Sequence, residues 1–136
     1  QFISAFGEHV IAEEVEAALT EAAAMHHAAV AEFTVAPFIA PVEGQSYHEW
    51  WIEFEREPDS LAAFAESLDN LMRQKNVYYD DLISGNILKK VQIKRVQQGG
   101  FIDYLRSEGK LGGQNKVPRL SNDRKVADGL QKYFTA

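Results

Sequence analysis

The stretch YHEWWIEFE, residues 47–55, constrains the fold most strongly, because successive side chains of a strand point to opposite faces. One face carries a mostly apolar series, namely His48, Trp50, Ile52 and Phe54. The other face carries three carboxylates and a second tryptophan, namely Glu49, Trp51, Glu53 and Glu55. The alternation predicts a strand whose first face packs in a core. We expect Trp51, on the second face, to contribute to an interface.

The spacing of apolar residues in the other segments predicts the fold class. Strands are predicted at 2–6, 30–36, 47–55 and 89–96, and long helices at 11–28 and 60–74. Shorter helical patterns follow at 77–85, 101–105 and 126–134. The order strand, helix, strand, strand, helix, strand is that of a ferredoxin-like split β-α-β sheet. We therefore predict an α+β fold with both long helices on one face of the sheet and a helical carboxy-terminal tail.

Length and composition limit the class of protein. A chain of 136 residues suggests a single domain, 1–136. It has no cysteine, which excludes disulfides, thiolate metal sites and a cysteine nucleophile. No apolar run is long enough to span a membrane, and no positively charged start leads into an apolar core like that of a signal peptide, so we expect a soluble, cytoplasmic domain. The sequence opens at Gln1 directly in an apolar run, so we expect a fragment of a longer polypeptide.

Charge is distributed unequally along the chain, whose formal net charge is −6. Residues 1–55 contain ten acidic side chains and no Lys or Arg, whereas residues 86–136 contain eleven Lys and Arg against four acidic side chains. An acidic total argues against nucleic acid as the partner. The basic half either neutralises the acidic half across the fold or meets a small anion such as a nucleotide phosphate.

Common catalytic and metal-binding motifs are missing from the sequence. His48 lacks the second histidine of a zinc-protease motif, and Asp80 and Asp81 lack the spacing of a calcium loop. His26 and His27 are neighbours on a predicted helix and point about 100° apart, so they cannot chelate one ion together. There is no glycine-rich phosphate-binding signature and no nucleophile elbow. We predict no metal site within this chain.

The stretch GGQNKVPRLSND, residues 112–123, carries two cations, Lys116 and Arg119, on either side of Pro118. The preceding glycines allow the backbone to adapt, while the proline fixes one backbone torsion. Lysine is a compact charge and arginine a planar fork of donors, and together they suit a phosphate or a carboxylate. The alternative is a solvated turn whose cations face the acidic first half.

Three stretches of the sequence resemble one protein family: FISAFGEHVIAEEVEAAL, YHEWWIEFE and VQQGGFIDYLRSEGKLGGQNKVPRLSND. The family is that of the auxin-responsive (Gretchen Hagen) acyl-acid amido synthetases, in particular the carboxy-terminal domain of its bacterial members. The resemblance runs from about Phe2 to Asp123 and is most specific at FGE and at Q-x-K-x-P-R. It implies a cytoplasmic ligase of the adenylate-forming superfamily, which activates a carboxylic acid with ATP and Mg²⁺ and then joins it to an amino acid.

The resemblance also implies a division of labour between two domains. An absent amino-terminal domain would hold most of the ATP, Mg²⁺ and acid sites, while this mobile carboxy-terminal domain closes over them. Lys116 matches the family's catalytic lysine, which approaches the nucleotide's phosphate, and Gln114, Pro118 and Arg119 match the residues around that lysine. Plant members usually carry an aromatic residue where this chain has Asn115. The isolated chain is therefore expected to bind no cofactor and to be inactive.

A second hypothesis belongs to a different functional class. A non-catalytic ferredoxin-like module of this size could bind a small regulator or a protein partner through a sheet edge or its aromatic face. The sequence names neither the acid nor the amino acid under the first hypothesis, and it does not give the oligomeric state under either.

Overall fold

A mixed sheet lies at the centre of the computed structural model, which describes residues 2–3, 10–109 and 116–136. The strands are β1 (Phe2–Ile3), β2 (Val10–Ile11), β3 (Ala29–Phe38), β4 (Tyr47–Arg56), β5 (Gln92–Val96) and β6 (Phe134–Thr135). The helices are α1 (Ala12–Met25), α2 (Leu61–Lys75), α3 (Val77–Ser84), α4 (Gly100–Ser107) and α5 (Lys125–Leu130), with a 3₁₀ turn at Gln131–Tyr133. The main sheet has the order β3-β4-β5-β6, and only β4 and β5 are parallel.

The first face of the sheet packs against α1 and α2, as predicted. Apolar side chains of β3 and β4 meet the buried stripes of both helices in one core cluster, which includes Phe33, Val35, Trp50, Ile52, Phe54, Leu19, Phe64 and Leu68. The stripes recur every three or four residues, so each helix buries one side and exposes the other. The predicted α+β class, with both long helices on one face and a helical tail, is confirmed.

The second face of the sheet is also covered, and this corrects the expectation for Trp51. Its side chain is fully buried in a second core cluster, together with Val96, Phe101, Tyr104, Val117, Ala127 and Leu130. Helices α4 and α5 supply most of these residues. Trp51 therefore belongs to the interior of the domain, because the carboxy-terminal tail folds over the face that the strand pattern left open.

Two segments of the chain pair with other strands than the sequence predicts. Of the predicted strand 2–6, the described residues Phe2 and Ile3 form β1 and pair with β2 in a separate two-stranded sheet. In the main sheet β4 and β5 pair directly, with no strand between them. Phe134, predicted to be helical, lies in β6 and pairs with Val96 of β5. The edge of a sheet exposes unpaired backbone groups. Here β6, at the end of the tail, pairs with two residues of β5, Arg95 and Val96.

Strand β3 extends beyond its predicted end at residue 36 and includes Pro37. Proline has no N–H to donate, so it is tolerated in a sheet only where that position faces away from a partner strand. β3 is an edge strand of the main sheet, and the backbone of Val35, two residues earlier, points away from β4 toward Arg119 and Ser121. The nitrogen of Pro37 faces the same way, so no hydrogen bond to β4 is lost.

Gly129 of α5 has a packing reason to lack a side chain, and we expect Gly129→Ala to destabilise the domain. A Cβ there would lie 2.5 Å from Cε1 of the buried Tyr104 ring. In most helices, replacing glycine with alanine stabilises the protein. Here overpacking against Tyr104 should make the substitution destabilising and lower the free energy of unfolding by about 1–2 kcal/mol. Urea unfolding measures this change. Adding Tyr104→Leu should make the cost of Gly129→Ala smaller, and equal costs in both backgrounds would contradict the explanation.

Candidate functional site

Residues 117–121 form a segment, here called the stem, that is fastened along the free edge of β3. The backbone N–H of Val35 donates to the Arg119 carbonyl (3.0 Å), and the N–H of Ser121 donates to the Val35 carbonyl (2.9 Å). The stem thus runs parallel to β3 through a single bridge between Val35 and Leu120. Its apolar side chains are buried, Leu120 in the first core and Val117 in the second. The stem is therefore held by backbone pairing and by both cores.

Arg119 is held by two acidic side chains from the first half of the chain. Its Nε donates to Glu16 of α1 (3.1 Å), and its Nη1 donates to Glu32 of β3. Its guanidinium also lies over the Phe33 ring, 4.8 Å from the centroid. For Arg119, the interpretation that basic and acidic halves neutralise each other is confirmed. The contact predicted between Arg119 and a nucleotide stays a prediction.

Lys116 immediately precedes the stem and is exposed. Among the described residues it has no ion-pair partner, in contrast to Arg119 three positions later. Gln114 and Asn115 lie outside the residues that the structure describes, so the predicted contact of Gln114 with the nucleotide also stays a prediction. The arrangement presents a cation that has no ion pair with the described residues at the end of an anchored backbone, and such a cation is suited to contact an external anion.

An ion pair between the half-buried Arg124 and the buried Glu49 fastens the chain just beyond the stem. Nη2 of Arg124 donates to Oε1 of Glu49 (2.8 Å), and the indole N–H of Trp51 donates to the same oxygen (2.8 Å). Nη1 of Arg124 donates to the Pro37 carbonyl (3.1 Å), and its Nε pairs with Asp128 one turn further along (3.1 Å). Glu49 is only 3% exposed. A carboxylate removed from water in this way requires such donors.

The pKa of Arg124 reflects this network. Burial of the guanidinium lowers its pKa, but the hydrogen bond to Glu49 and the charges of Glu49 and Asp128 more than offset that effect. The net pKa is raised above the ordinary arginine value, so the side chain keeps its charge at every physiological pH. Arg124 therefore stays charged, and its ion pair with Glu49 links β4 to the tail.

Sequence reasoning missed the pairing of Arg124 with Glu49. The strand pattern placed Glu49 beside Trp51 on one face, and a carboxylate on a covered face needs a cation. Nothing in the spacing indicated which of the eleven basic residues in 86–136 would supply it. The sequence indicates that Glu49 needs a positively charged partner, but that partner, Arg124, lies 75 positions away in the chain.

The amino-terminal end of α4, which follows Gly99 and Gly100, is not available to a phosphate. Both oxygens of the Glu53 carboxylate accept backbone N–H groups there, from Gly99 (2.9 Å) and from Phe101 (3.2 Å). An acidic side chain at a helix amino terminus satisfies the free donors and the helix dipole that an external anion would otherwise use. The glycine pair at 99–100 therefore has a structural role.

The residues that the structure describes contain no cluster of metal-binding side chains. No group of three or more His, Asp or Glu side chains in 10–109 and 116–136 could hold a metal ion. Two histidines make ordinary side-chain contacts: His26 with Ser67 (2.8 Å), and His27 with Asp59 (2.7 Å). Of the helices in this part of the chain, none has the length and apolar character needed to cross a bilayer.

Comparison with known families decides the assignment. The sequence model of the GH3 family C-terminal domain matches residues 13–125, most of the chain. The chain belongs to the GH3 family. This confirms the resemblance to the auxin-responsive synthetases on which the prediction for Lys116 depends. A search of curated protein sequences finds no match to this GH3 domain.

Solved structures of the same family share the fold of this GH3 domain. The structure of GH3.15 acyl acid amido synthetase superposes with a TM-score of 0.78 at 15% identity, covering 100% of this chain and 25% of the other. A second structure, AtGH3.15 acyl acid amido synthetase in complex with 2,4-DB, gives 0.77 at 14% identity, covering 99% and 26%. The chain thus spans about a quarter of the length of these relatives.

Proposed function

We propose that this chain is the carboxy-terminal domain of an ATP-dependent acyl acid amido synthetase. In this proposal the domain closes over an amino-terminal domain of the same polypeptide and brings Lys116 to the phosphates of bound ATP. One observation carries the proposal: Lys116 is an exposed cation, without an ion pair to any described residue, at the end of a stem fixed to the sheet. Membership of the GH3 family supplies the reaction class.

The chemistry of acyl-adenylate formation explains why a lysine is needed there. A carboxylate oxygen of the acid attacks the α-phosphorus of ATP, a P–O bond forms, and the bond to pyrophosphate breaks. Negative charge increases on the non-bridging oxygens and on the leaving group during this step. A preorganised ammonium group stabilises that charge, most strongly once domain closure has removed water from the site. An amine then attacks the acyl carbon, and AMP leaves.

The residues of this chain have separate roles in the proposal. We assign the phosphate contact to Lys116, and we assign Arg119 mainly to placing the loop, because Glu16 and Glu32 already neutralise its charge. We also propose that Gln114 contacts the nucleotide, as the family motif implies. Mg²⁺, most ATP contacts and the pocket for the acid are assigned to the amino-terminal domain. We also propose that the full-length protein is a bacterial enzyme that acts in the cytoplasm, as the resemblance implies.

ATP–pyrophosphate exchange by the full-length polypeptide that contains this chain tests the proposal. The first acid to try is 2,4-DB, with which one of the related synthetases was solved in complex, followed by other aryl and alkyl carboxylic acids. Acid-dependent exchange, followed by an amide product when amino acids are added, is the expected result. Folded full-length protein that shows no exchange with any acid would favour the non-catalytic interaction module instead.

We expect the isolated chain of 136 residues to give no exchange above background. The reason is the proposed division of labour, in which Lys116 acts on a nucleotide that another domain holds. The same assay, run with the isolated chain at the molar concentration used for the full-length protein, measures this. A circular dichroism spectrum, recorded in parallel, is the control that the isolated chain is folded. Clear turnover by the chain alone would show that the two domains divide the site differently.

A further inference from the structure

The side chain of Thr34, in β3, donates a hydrogen bond to the backbone of the stem. Of the side-chain hydrogen bonds to the described stem, this one has the acceptor that lies closest in sequence to Lys116. Oγ1 of Thr34 donates to the backbone carbonyl of Pro118 at 2.6 Å. Thr34 is fully buried, whereas Pro118 is exposed. The bond therefore joins a fixed point inside the sheet to the surface backbone two residues after Lys116.

The position of this bond differs from that of the other attachments. The ladder between Val35 and the stem involves Arg119 and Ser121, which lie further from Lys116 than Pro118 does. Val117 lies closer, but it fixes the chain through the packing of an apolar side chain, which does not specify the orientation of a peptide plane. Thr34 is the described side chain that sets the direction of the backbone at the start of the stem.

We propose that Thr34 is a positioning residue for Lys116, an inference that rests on the proposed function of that lysine. A hydroxyl held by β3 fixes the carbonyl of Pro118 and so limits the directions from which the lysine can leave the stem. A charge that stabilises a transition state acts only within a narrow range of distances, and misplacement by about 1 Å can cost up to about a hundredfold in rate. Loss of the hydroxyl should therefore lower the adenylation rate without altering the affinity for ATP.

Two substitutions separate the hydroxyl from the shape of the side chain. Thr34→Val keeps a branched side chain of similar volume and removes the donor. Thr34→Ser keeps the donor and removes the methyl group. Removing one hydrogen bond to a part-buried carbonyl should lower the midpoint of thermal unfolding by several degrees and leave the fold intact. A single cooperative unfolding transition for each variant, followed by circular dichroism, is the check that it is folded.

The experiment is a double-mutant cycle in the full-length synthetase, read by single-turnover formation of acyl-adenylate with the most active acid. We expect Thr34→Val to slow this step about tenfold with KM for ATP unchanged, and Thr34→Ser to stay within about twofold of the wild type. In the Lys116→Ala background, Thr34→Val should have no further effect, because the group it positions is gone.

Each other outcome overturns a distinct claim. If Thr34→Val slows the reaction equally with and without Lys116, or if Thr34→Ser is as slow as Thr34→Val, Thr34 is a packing residue and the inference is wrong. The inference also fails if Lys116→Ala is slow and Thr34→Val has the wild-type rate. A wild-type rate for Lys116→Ala alone would instead overturn the proposed function, and the role of Thr34 with it.

Discussion

Arg124→Ala should lower the free energy of unfolding of the domain by about 2–4 kcal/mol, less than the roughly 3–5 kcal/mol for a fully buried ion pair, because the Arg124 side chain is itself 26% exposed. The variant leaves the Glu49 carboxylate, only 3% exposed, with the indole N–H of Trp51 as a remaining donor. It also removes the hydrogen bond to the Pro37 carbonyl, which ties the tail to β3. Urea denaturation of the chain, followed by tryptophan fluorescence, measures the change.

Arg106 provides a matched control for this prediction. Its ion pair with Asp103 has nearly the same length, 2.9 Å against 2.8 Å, but both of its side chains are well exposed. Arg106→Ala should therefore cost less than about 1 kcal/mol, as exposed ion pairs usually do. If both arginine variants had the same small effect, burial would not be the cause, and the tail would be held by apolar contacts alone.

Local patterns in the sequence were sufficient to predict most of the fold. The alternation in residues 47–55 identified β4 and the two faces of its side chains correctly, and the stripes around Leu19 and Leu68 located α1 and α2 on one face. These predictions succeeded because the period of a helix or strand is a property of neighbouring residues, which a sequence displays directly.

The predictions that failed concern partners that are distant in the chain. An apolar run such as residues 2–6 indicates a strand but does not say which strand it will pair with, and Phe134 offered no sign that β5 would need a neighbour. The sequence pattern predicts an interface for Trp51, whose face no neighbouring segment covers. Helices α4 and α5 cover that face in the structure, and they begin 49 and 74 positions later in the chain. Such contacts depend on how the elements pack together.

The candidate site was predictable in the same partial way. The Q-x-K-x-P-R motif indicates that Lys116 and Arg119 belong to the site, but it does not distinguish the roles of the two cations. The structure separates them, because Arg119 meets the carboxylates of Glu16 and Glu32 while Lys116 is exposed. Those two carboxylates lie 103 and 87 positions from Arg119, so only the packing of α1 and β3 against the stem could reveal the difference.

Lys116→Ala in the full-length enzyme should slow acyl-adenylate formation by roughly 10²–10³-fold, the range for removing one preorganised stabiliser of a transition state. The free energy of unfolding should change by less than about 0.5 kcal/mol, because the residue is exposed. Lys116→Arg should recover only part of the rate, since a planar guanidinium does not reproduce a compact charge. Arg119→Ala should lose less activity than Lys116→Ala, because it acts through placement of the loop.

Single-turnover formation of acyl-adenylate by the Lys116→Ala enzyme tests the account most directly, because it isolates the chemical step from substrate binding and product release. Rapid mixing of enzyme with the acid and radiolabelled ATP, followed by acid quench, gives this rate for wild type, Lys116→Ala and Arg119→Ala. The account predicts a rate at least about a hundredfold below wild type for Lys116→Ala, with Arg119→Ala between the two. A wild-type rate for Lys116→Ala would contradict it and make Lys116 an ordinary surface charge.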